Sequence, residues 1–226
     1  MKSSYDYRAQ ARRTLNGHWN DAIPAMLIYF LIVIVYAVTS SLAQLQPDRA
    51  NLYHAITVAL SVFLIMPMGV AIENTFLRMA RGSENTPLTD MLDIFRSGYE
   101  RLLPAALLMS VIVGALAIVT FGILGVVFSY AYCMMPYLLE DYPDLSPVEA
   151  LKTSRQMMRG HKMDLFVLDM TFIGWVFLAI FTGGIGVLWL EPYIGIARAH
   201  FYEDLKAETI VEEKEQPEEQ HLTIEQ

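Results

Sequence analysis

Four long apolar stretches dominate the chain, and polar residues collect between them. The first two, 22–45 and 52–77, each exceed the roughly 20 residues that a helix needs to cross a bilayer. The third, 102–139, runs for 38 residues without a charge. As one straight helix it would measure about 57 Å, nearly twice the thickness of a hydrocarbon core. We therefore expect this stretch to fold back on itself, and the same holds for the last stretch, 163–205.

Glycines mark the two places where the chain can fold back. They lie in the segments 120–125 and 182–186, and glycine readily leaves the helical conformation. Helices are expected because a segment in lipid must satisfy its own backbone hydrogen bonds. The pattern predicts an all-α polytopic membrane protein with six transmembrane helices in three hairpins, at about 22–45, 52–77, 102–121, 123–139, 163–182 and 185–205. A cleaved signal peptide is the alternative for the first stretch, but its length favours a retained helix.

A short amphipathic interfacial helix is predicted before each hairpin, at about 4–17, 87–98 and 146–160. The third has the clearest start, because Ser146, Pro147 and Glu149 are typical of an N-cap, a first helical position and a returning carboxylate. A glycine ends each helix and a threonine follows it 22 residues later, in the pairs Gly17 and Thr39, Gly98 and Thr120, and Gly160 and Thr182. We interpret this as three copies of one unit, in which the interfacial helix fixes the depth of the hairpin behind it.

The composition supports this class of protein. Hydrophobic residues make up 54% of the chain and charged residues 18%, which excludes a disordered chain and argues against a soluble globular domain. The single cysteine, Cys133, excludes a disulfide scaffold. Nine of the 24 acidic residues lie between Glu203 and Gln226. We expect a single integral membrane domain over 1–205 and an acidic, disordered cytoplasmic tail over 206–226.

The basic residues are distributed unevenly across the predicted spans. Six spans put 15 of the 16 lysines and arginines on one side of the membrane, with only Arg49 opposite. The positive-inside rule then places both termini in the cytoplasm.

Three carboxylates lie within the apolar stretches: Glu73, Asp169 and Glu191. Asp169 and Arg198 are each 14 residues from the turn glycines, on opposite sides, so the two residues share one depth in the membrane. We predict a buried ion pair between them that clamps the last two helices. Glu73 lies about one turn from the cytoplasmic end, and we expect it to reach the headgroups.

Glu191 precedes Pro192 and Tyr193 and has no evident partner. Proline frees a backbone carbonyl one turn earlier, and broken helices often line sites for ions or substrates. These three residues therefore line a polar cavity or form a simple kink from which the acid reaches outer headgroups. We favour the kink, since membrane helices commonly tolerate proline.

A basic stripe follows the start of the third interfacial helix. Its members recur at helical spacing and share one face: Lys152, Arg155, Arg159 and Lys162. The stripe is predicted to contact anionic lipid headgroups, and setting the topology is the simpler alternative.

Several segments resemble a known family. They are 154–162 (SRQMMRGHK), 172–175 (FIGW), 182–186 with 188–190, and the pairs 192–193 and 201–202. The sequence is similar to the bacterial integral membrane family labelled domain of unknown function 975, most strongly from about residue 130 to 205. The resemblance implies a multi-pass protein of the bacterial cytoplasmic membrane and no established activity.

The sequence lacks the Walker, dinucleotide-binding, HExxH and GxSxG motifs, and its histidines lack metal-ligand spacing. We therefore expect no enzyme, no cofactor, no metal and no nucleic-acid partner. The leading hypothesis is a non-enzymatic membrane component that organises lipid or partner proteins at the cytoplasmic face. Its partners would be anionic lipids, and a membrane-protein partner or a second copy is also open. The first alternative is a small transporter or channel subunit that uses Glu191, and the second is an intramembrane enzyme.

Overall fold

The computed structural model describes residues 1–83, 85–119 and 123–222, and these residues form α-helices and no strand. The helices are α1 (Ser4–Leu15), α2 (Trp19–Leu45), α3 (Ala50–Leu60), α4 (Met66–Ala80), α5 (Pro87–Val119), α6 (Ile123–Tyr132), α7 (Met135–Asp141), α8 (Pro147–Met157), α9 (Lys162–Met170), α10 (Ile173–Phe181) and α11 (Val187–Leu222). A 3₁₀ turn at Pro47–Arg49 and a π-helical segment at Ser61–Ile65 flank α3. The predicted all-α class is therefore correct.

Three helical segments of the described chain are long and apolar enough to cross a membrane: Trp19–Leu45, Pro47–Ala80 and Pro87–Leu116. A fourth exists if α9 and α10, which meet at a bend of 41°, form one span. Large apolar side chains point outwards, as in α10, where Phe181 is 87% exposed. Exposed apolar faces of this extent are typical of contact with lipid. The structure thus supports a membrane protein with three or four spans, and it leaves six spans and three hairpins unconfirmed.

The predicted helix 123–139 is divided into α6 and α7, whose 10 and 7 residues are each too short to cross a hydrocarbon core. The division lies next to Pro136, which has no backbone N–H to donate to the preceding turn. Ser154 of α8 compensates at this break. Its hydroxyl donates to the carbonyl of Ala131 at 3.0 Å and accepts from the backbone N–H of Met134 at 3.2 Å.

The predicted helix 52–77 begins earlier, at Ala50, and contains the π-helical segment before α4. Pro67 at the start of α4 leaves the carbonyl of Phe63, four residues earlier, without its helical donor. The hydroxyl of Tyr99 donates to this carbonyl at 3.1 Å. The wider π-helical turn and a side chain from α5 together accommodate the proline.

Two of the three predicted interfacial helices are separate elements, α1 and α8. Both begin with a capping box, formed by Ser3 and Asp6 in α1 and by Ser146 and Glu149 in α8. Both are followed by a glycine with positive φ, +90° at residue 17 and +92° at residue 160. These shared ends support a repeated unit at the first and third positions.

The predicted separate helix 87–98 is wrong, because α5 continues through Gly98 and Pro104 to Val119. The buried positions Met91, Ile94 and Leu102 recur along one face of α5, so packing favours an unbroken helix across the glycine.

The second predicted turn lies where the sequence places it. Residues 182–186 separate α10 from α11, and Gly183 and Gly184 have φ values of +67° and +88°. Of the first predicted turn, residues 120–122 lie outside the described residues, so Thr120 is not placed.

Helix α4 lies at the centre of the bundle and packs against α5, α7 and α11, with a smaller contact to α1. Gly195 permits close approach of α11, because a side chain there would collide with the ring of Phe76. Helix α11 continues to Leu222, whereas the sequence predicts disorder from residue 206. One face of α11 is buried against the bundle as far as Leu205, and α1 packs on this helix. The glutamates and lysines that follow are good helix formers.

Candidate functional site

A cavity of about 550 Å³ lies between α2, α4, α5, α6, α7, α9 and α11. All three carboxylates of the apolar stretches line it, together with one arginine: Glu73, Asp169, Glu191 and Arg198. Ionisable side chains at this depth are costly and commonly mark substrate or ion pathways. We refer to this space as the central cavity.

The structure brings Asp169 and Arg198 together on one side of the central cavity. The Nε and Nη2 atoms of Arg198 donate to Oδ1 and Oδ2 of Asp169 at 3.0 Å and 2.9 Å. Such a two-bond arrangement fixes the geometry as well as the charge. The pair joins α9 to α11, and its opposite charges neutralise each other.

Two tyrosines donate hydrogen bonds to two of the three cavity acids. The hydroxyl of Tyr130 donates to Oδ2 of Asp169 at 2.9 Å, and the hydroxyl of Tyr137 donates to Oε2 of Glu73 at 2.7 Å. Tyr29 of α2 is a third tyrosine in the lining. Glu73 therefore faces the cavity rather than the headgroups, which corrects the prediction for this residue.

Glu191 differs from the other cavity acids. Its carboxylate lines the cavity, yet it forms no hydrogen bond or ion pair with any residue that the structure describes. Helix α11 runs through Pro192 without a break, so the predicted kink does not interrupt it. Pro192 is buried and Tyr193 packs edge-on against Phe172, with a ring-centroid distance of 5.0 Å. Of the three residues predicted as a group, only Glu191 lines the cavity.

The remaining lining is mainly apolar. It includes three methionines and several branched aliphatic side chains: Met66, Met109, Met134, Val70, Ile72, Val113 and Leu165. Methionine adapts its shape to an occupant. Cys133 also lines the cavity, and its thiol contacts the carbonyl of Tyr130 at 3.0 Å. Within the described ranges no three His, Cys, Asp or Glu side chains could hold a metal ion together.

Sequence reasoning missed most of this lining. It assigned Glu73 to the headgroups, used Cys133 only to exclude a disulfide scaffold, and gave Tyr130 no role. The prolines at positions 67 and 136 were the available signal, since both lie in helices that border the cavity.

A second polar cluster closes one end of the bundle. We call it the end network, and its members are Arg78, Arg81, Asp90, Glu140, Asp141, Tyr202, Glu203 and Lys206. Asp141 is its centre and accepts hydrogen bonds from Arg81 at 2.6 Å and 2.9 Å, from Lys206 at 2.7 Å and from Tyr202 at 2.8 Å. Burial alone would raise the pKa of Asp141, but these donors outweigh it and lower the pKa to about 2.

Of the predicted basic stripe, Lys152 and Arg155 lie on α8, Arg159 lies in the turn after it, and Lys162 is the first residue of α9. Lys152, Arg155 and Arg159 are exposed, and Lys162 is half-buried. None of the four forms an ion pair with a residue in the described part of the chain. The opposite face of α8 packs into the protein through Ala150, Leu151, Ser154 and Met157. The helix is thus held on one side and offers positive charge on the other, where the guanidinium of Arg155 lies 5.7 Å from the ring centroid of Phe128.

These features define an all-helical membrane-type protein with a charged central cavity. Residues 101–209, just under half of the chain, match the family model described as protein of unknown function, DUF975. This match agrees with the resemblance seen in the sequence, and the family's description carries no activity. No curated protein and no solved structure matches the chain.

Proposed function

We propose that this protein is a small membrane transport protein, or a subunit of one, whose transported molecule occupies the central cavity. The observation that carries the proposal is that Glu191 and the Asp169–Arg198 pair line one cavity of about 550 Å³. Membrane proteins bury such groups rarely, and mostly where they face a water-filled cavity or a bundle interior. A closed apolar bundle would have favoured a purely organising role, so the cavity moves transport to first place.

Cys133 allows a direct test of this proposal, because it is the only cysteine of the chain and it lines the cavity. We expect a membrane-impermeant methanethiosulfonate reagent to modify Cys133 when it is added to sealed vesicles that contain the protein. Mass spectrometry measures the modified fraction, and Cys133→Ser is the control that must stay unmodified. Failure of the reagent from either face of the membrane, with full reaction after unfolding in detergent, would overturn the proposal.

A second candidate function rests on the exposed face of α8 and the turn that follows it. We propose that Lys152, Arg155 and Arg159 hold anionic lipid headgroups at the cytoplasmic face, where each basic residue contributes about 1 kcal/mol near the surface. This is the lipid-organising role that the sequence analysis puts first. The support is the combination of a packed face with exposed basic residues on the opposite face.

The test of the second candidate compares lipids that stay bound after purification. Replacing the three residues with glutamine should lower the phosphatidylglycerol content measured by native mass spectrometry and leave phosphatidylcholine unchanged. The matched control replaces three exposed basic residues elsewhere, Arg12, Arg13 and Arg96, with glutamine. If both triple variants lose equal amounts of phosphatidylglycerol, the stripe contributes only general positive charge, and the proposal of a specific lipid site is wrong.

We further propose six spans with both termini in the cytoplasm, since the basic residues support that orientation. The absence of a catalytic activity stays a prediction.

A further inference from the structure

We infer that the central cavity takes an amphipathic organic cation, and that the Glu191 carboxylate is its principal counter-charge. The inference rests on the proposed transport function and names the class of molecule that the same cavity would accept. It follows from the charge balance of the lining, the chemistry of the walls and the size of the space.

The charge balance of the cavity is negative. Arg198 is the one basic residue among the lining residues, and it is bound through two hydrogen bonds to Asp169. The pair is neutral as a unit, and no basic side chain among the described residues forms an ion pair with Glu73 or Glu191. A carboxylate in a low-dielectric site is stabilised by an opposite charge, and an anion would be repelled.

The two unneutralised acids are not equivalent. Glu73 accepts a hydrogen bond from the hydroxyl of Tyr137 at 2.7 Å, so one of its acceptor positions is already occupied. Glu191 has no donor among the described residues, so its charge is free to pair with an occupant. An entering cation would therefore gain the most interaction energy by pairing with the carboxylate of Glu191.

The side chains that line the cavity fit an organic molecule rather than a bare metal ion. Tyr29, Tyr130 and Tyr137 contribute aromatic rings, and aromatic rings attract cations and pack against alkyl groups. Methionine and aliphatic side chains form most of the rest. A metal ion would lack its usual set of ligands, since the described residues contain no group of three that could hold one.

The volume fits a small organic molecule. About 550 Å³ lies within the range of roughly 300 to 1,000 Å³ typical of small-molecule sites. An inorganic monovalent cation would leave most of this space and its apolar surface unused. An amine or quaternary ammonium group with an apolar substituent satisfies both the carboxylate and the walls.

The test uses two reagents of similar size and opposite charge on Cys133. These are the cationic trimethylammonioethyl and the anionic sulfonatoethyl methanethiosulfonates. We expect the ratio of cationic to anionic reaction rates at Cys133 to exceed the ratio for a free thiol by about tenfold or more, because two unneutralised carboxylates share the cavity. Glu191→Gln should reduce this preference severalfold.

Two further variants separate charge from structure. Glu191→Asp keeps the charge and should keep the preference, and it preserves the test if Glu191→Gln fails to fold. Glu100→Gln removes one carboxylate from an exposed position on α5 and should change nothing. Protection gives a second measure: benzyltrimethylammonium should slow the reaction of Cys133 more than its neutral carbon isostere, neopentylbenzene.

The outcomes distinguish this inference from the proposed function. Reaction of Cys133 with both reagents at the free-thiol ratio would overturn the cation assignment and leave an accessible cavity. An unchanged preference in a folded Glu191→Gln variant would overturn the role of Glu191. Absence of any reaction in membranes would overturn the proposed function itself.

Discussion

The central cavity and the end network are built from the same kinds of side chain, yet they differ in how completely these are paired. In the end network Asp141 receives four hydrogen bonds from three side chains. In the cavity Glu191 receives none from the described residues, and Glu73 receives one. A satisfied network stabilises one arrangement, whereas an unsatisfied carboxylate costs stability and is retained where it serves a ligand. The comparison assigns a structural role to one region and a binding role to the other.

The largest expected effect is the loss of the central acid of the end network. Asp141→Asn should lower the free energy of unfolding by about 4 kcal/mol, because it removes a buried partner from Arg81 and Lys206. The Asp141 side chain is only 7% exposed, so water cannot replace it. Unfolding in detergent micelles measures the change. The exposed Asp93→Asn is the control, and equal effects of the two substitutions would contradict the structural role.

The second largest loss in the free energy of unfolding is expected at the ion pair of the cavity. Asp169→Asn is expected to cost about 3 kcal/mol, since Arg198 keeps a charge without its partner and Tyr130 loses an acceptor. The loss is smaller than at Asp141, because Asp169 has one basic partner whereas Asp141 has two, Arg81 and Lys206. Asp164→Asn, on the same helix at an exposed site, should cost less than about 1 kcal/mol. Similar midpoints of thermal unfolding for both variants would exclude a clamp between α9 and α11.

Acid should weaken the end network over a defined range. The pKa of Asp141 is lowered to about 2, below the ordinary value of 3.8, so its contribution is complete above about pH 4. As the pH falls from about 4 to about 2, Asp141 binds a proton and its contribution is lost. The loss should stay below about 2 kcal/mol, because the partly exposed Arg81 and Lys206 are screened by solvent.

Unfolding measured across this pH range tests the assignment. The Asp141→Asn variant should lack this part of the acid dependence. A wild-type midpoint that stays constant from pH 4 to pH 2 would show that Asp141 is not held as an ionised partner.

The two regions also differ in how far the sequence predicts them. Asp169 and Arg198 flank one tight glycine turn, so counting residues from the turn was enough to bring them together. The contact of Glu73 with Tyr137 joins residues 64 positions apart and depends on how α4 packs against α7. Asp141 and Arg81 are separated in the same way, by 60 positions. Local patterns contain no information about such packing.

The helices show the same limit. Apolar runs and capping residues predicted where α1, α2 and α8 lie. They did not predict the division between α6 and α7, because that break depends on Ser154 of another helix satisfying the backbone there. They also overestimated the role of Gly98, since a continuous buried face carries α5 through it. Tertiary contacts decided each of these cases.

The smallest expected effect is at Glu191, and it tests the difference between the central cavity and the end network most directly. Glu191→Gln should change the free energy of unfolding by less than about 1 kcal/mol, with a gain as the expected direction, because it removes an unpaired charge from the membrane interior. The control, Glu140→Gln, makes the same substitution in the end network, where Arg78 Nε donates to the acid at 2.7 Å, and it should destabilise the protein. Unfolding of both variants in the same micelles measures the difference. A loss at Glu191 as large as that at Glu140 would mean that its carboxylate supports the fold, and the binding role of the cavity would then lose its basis.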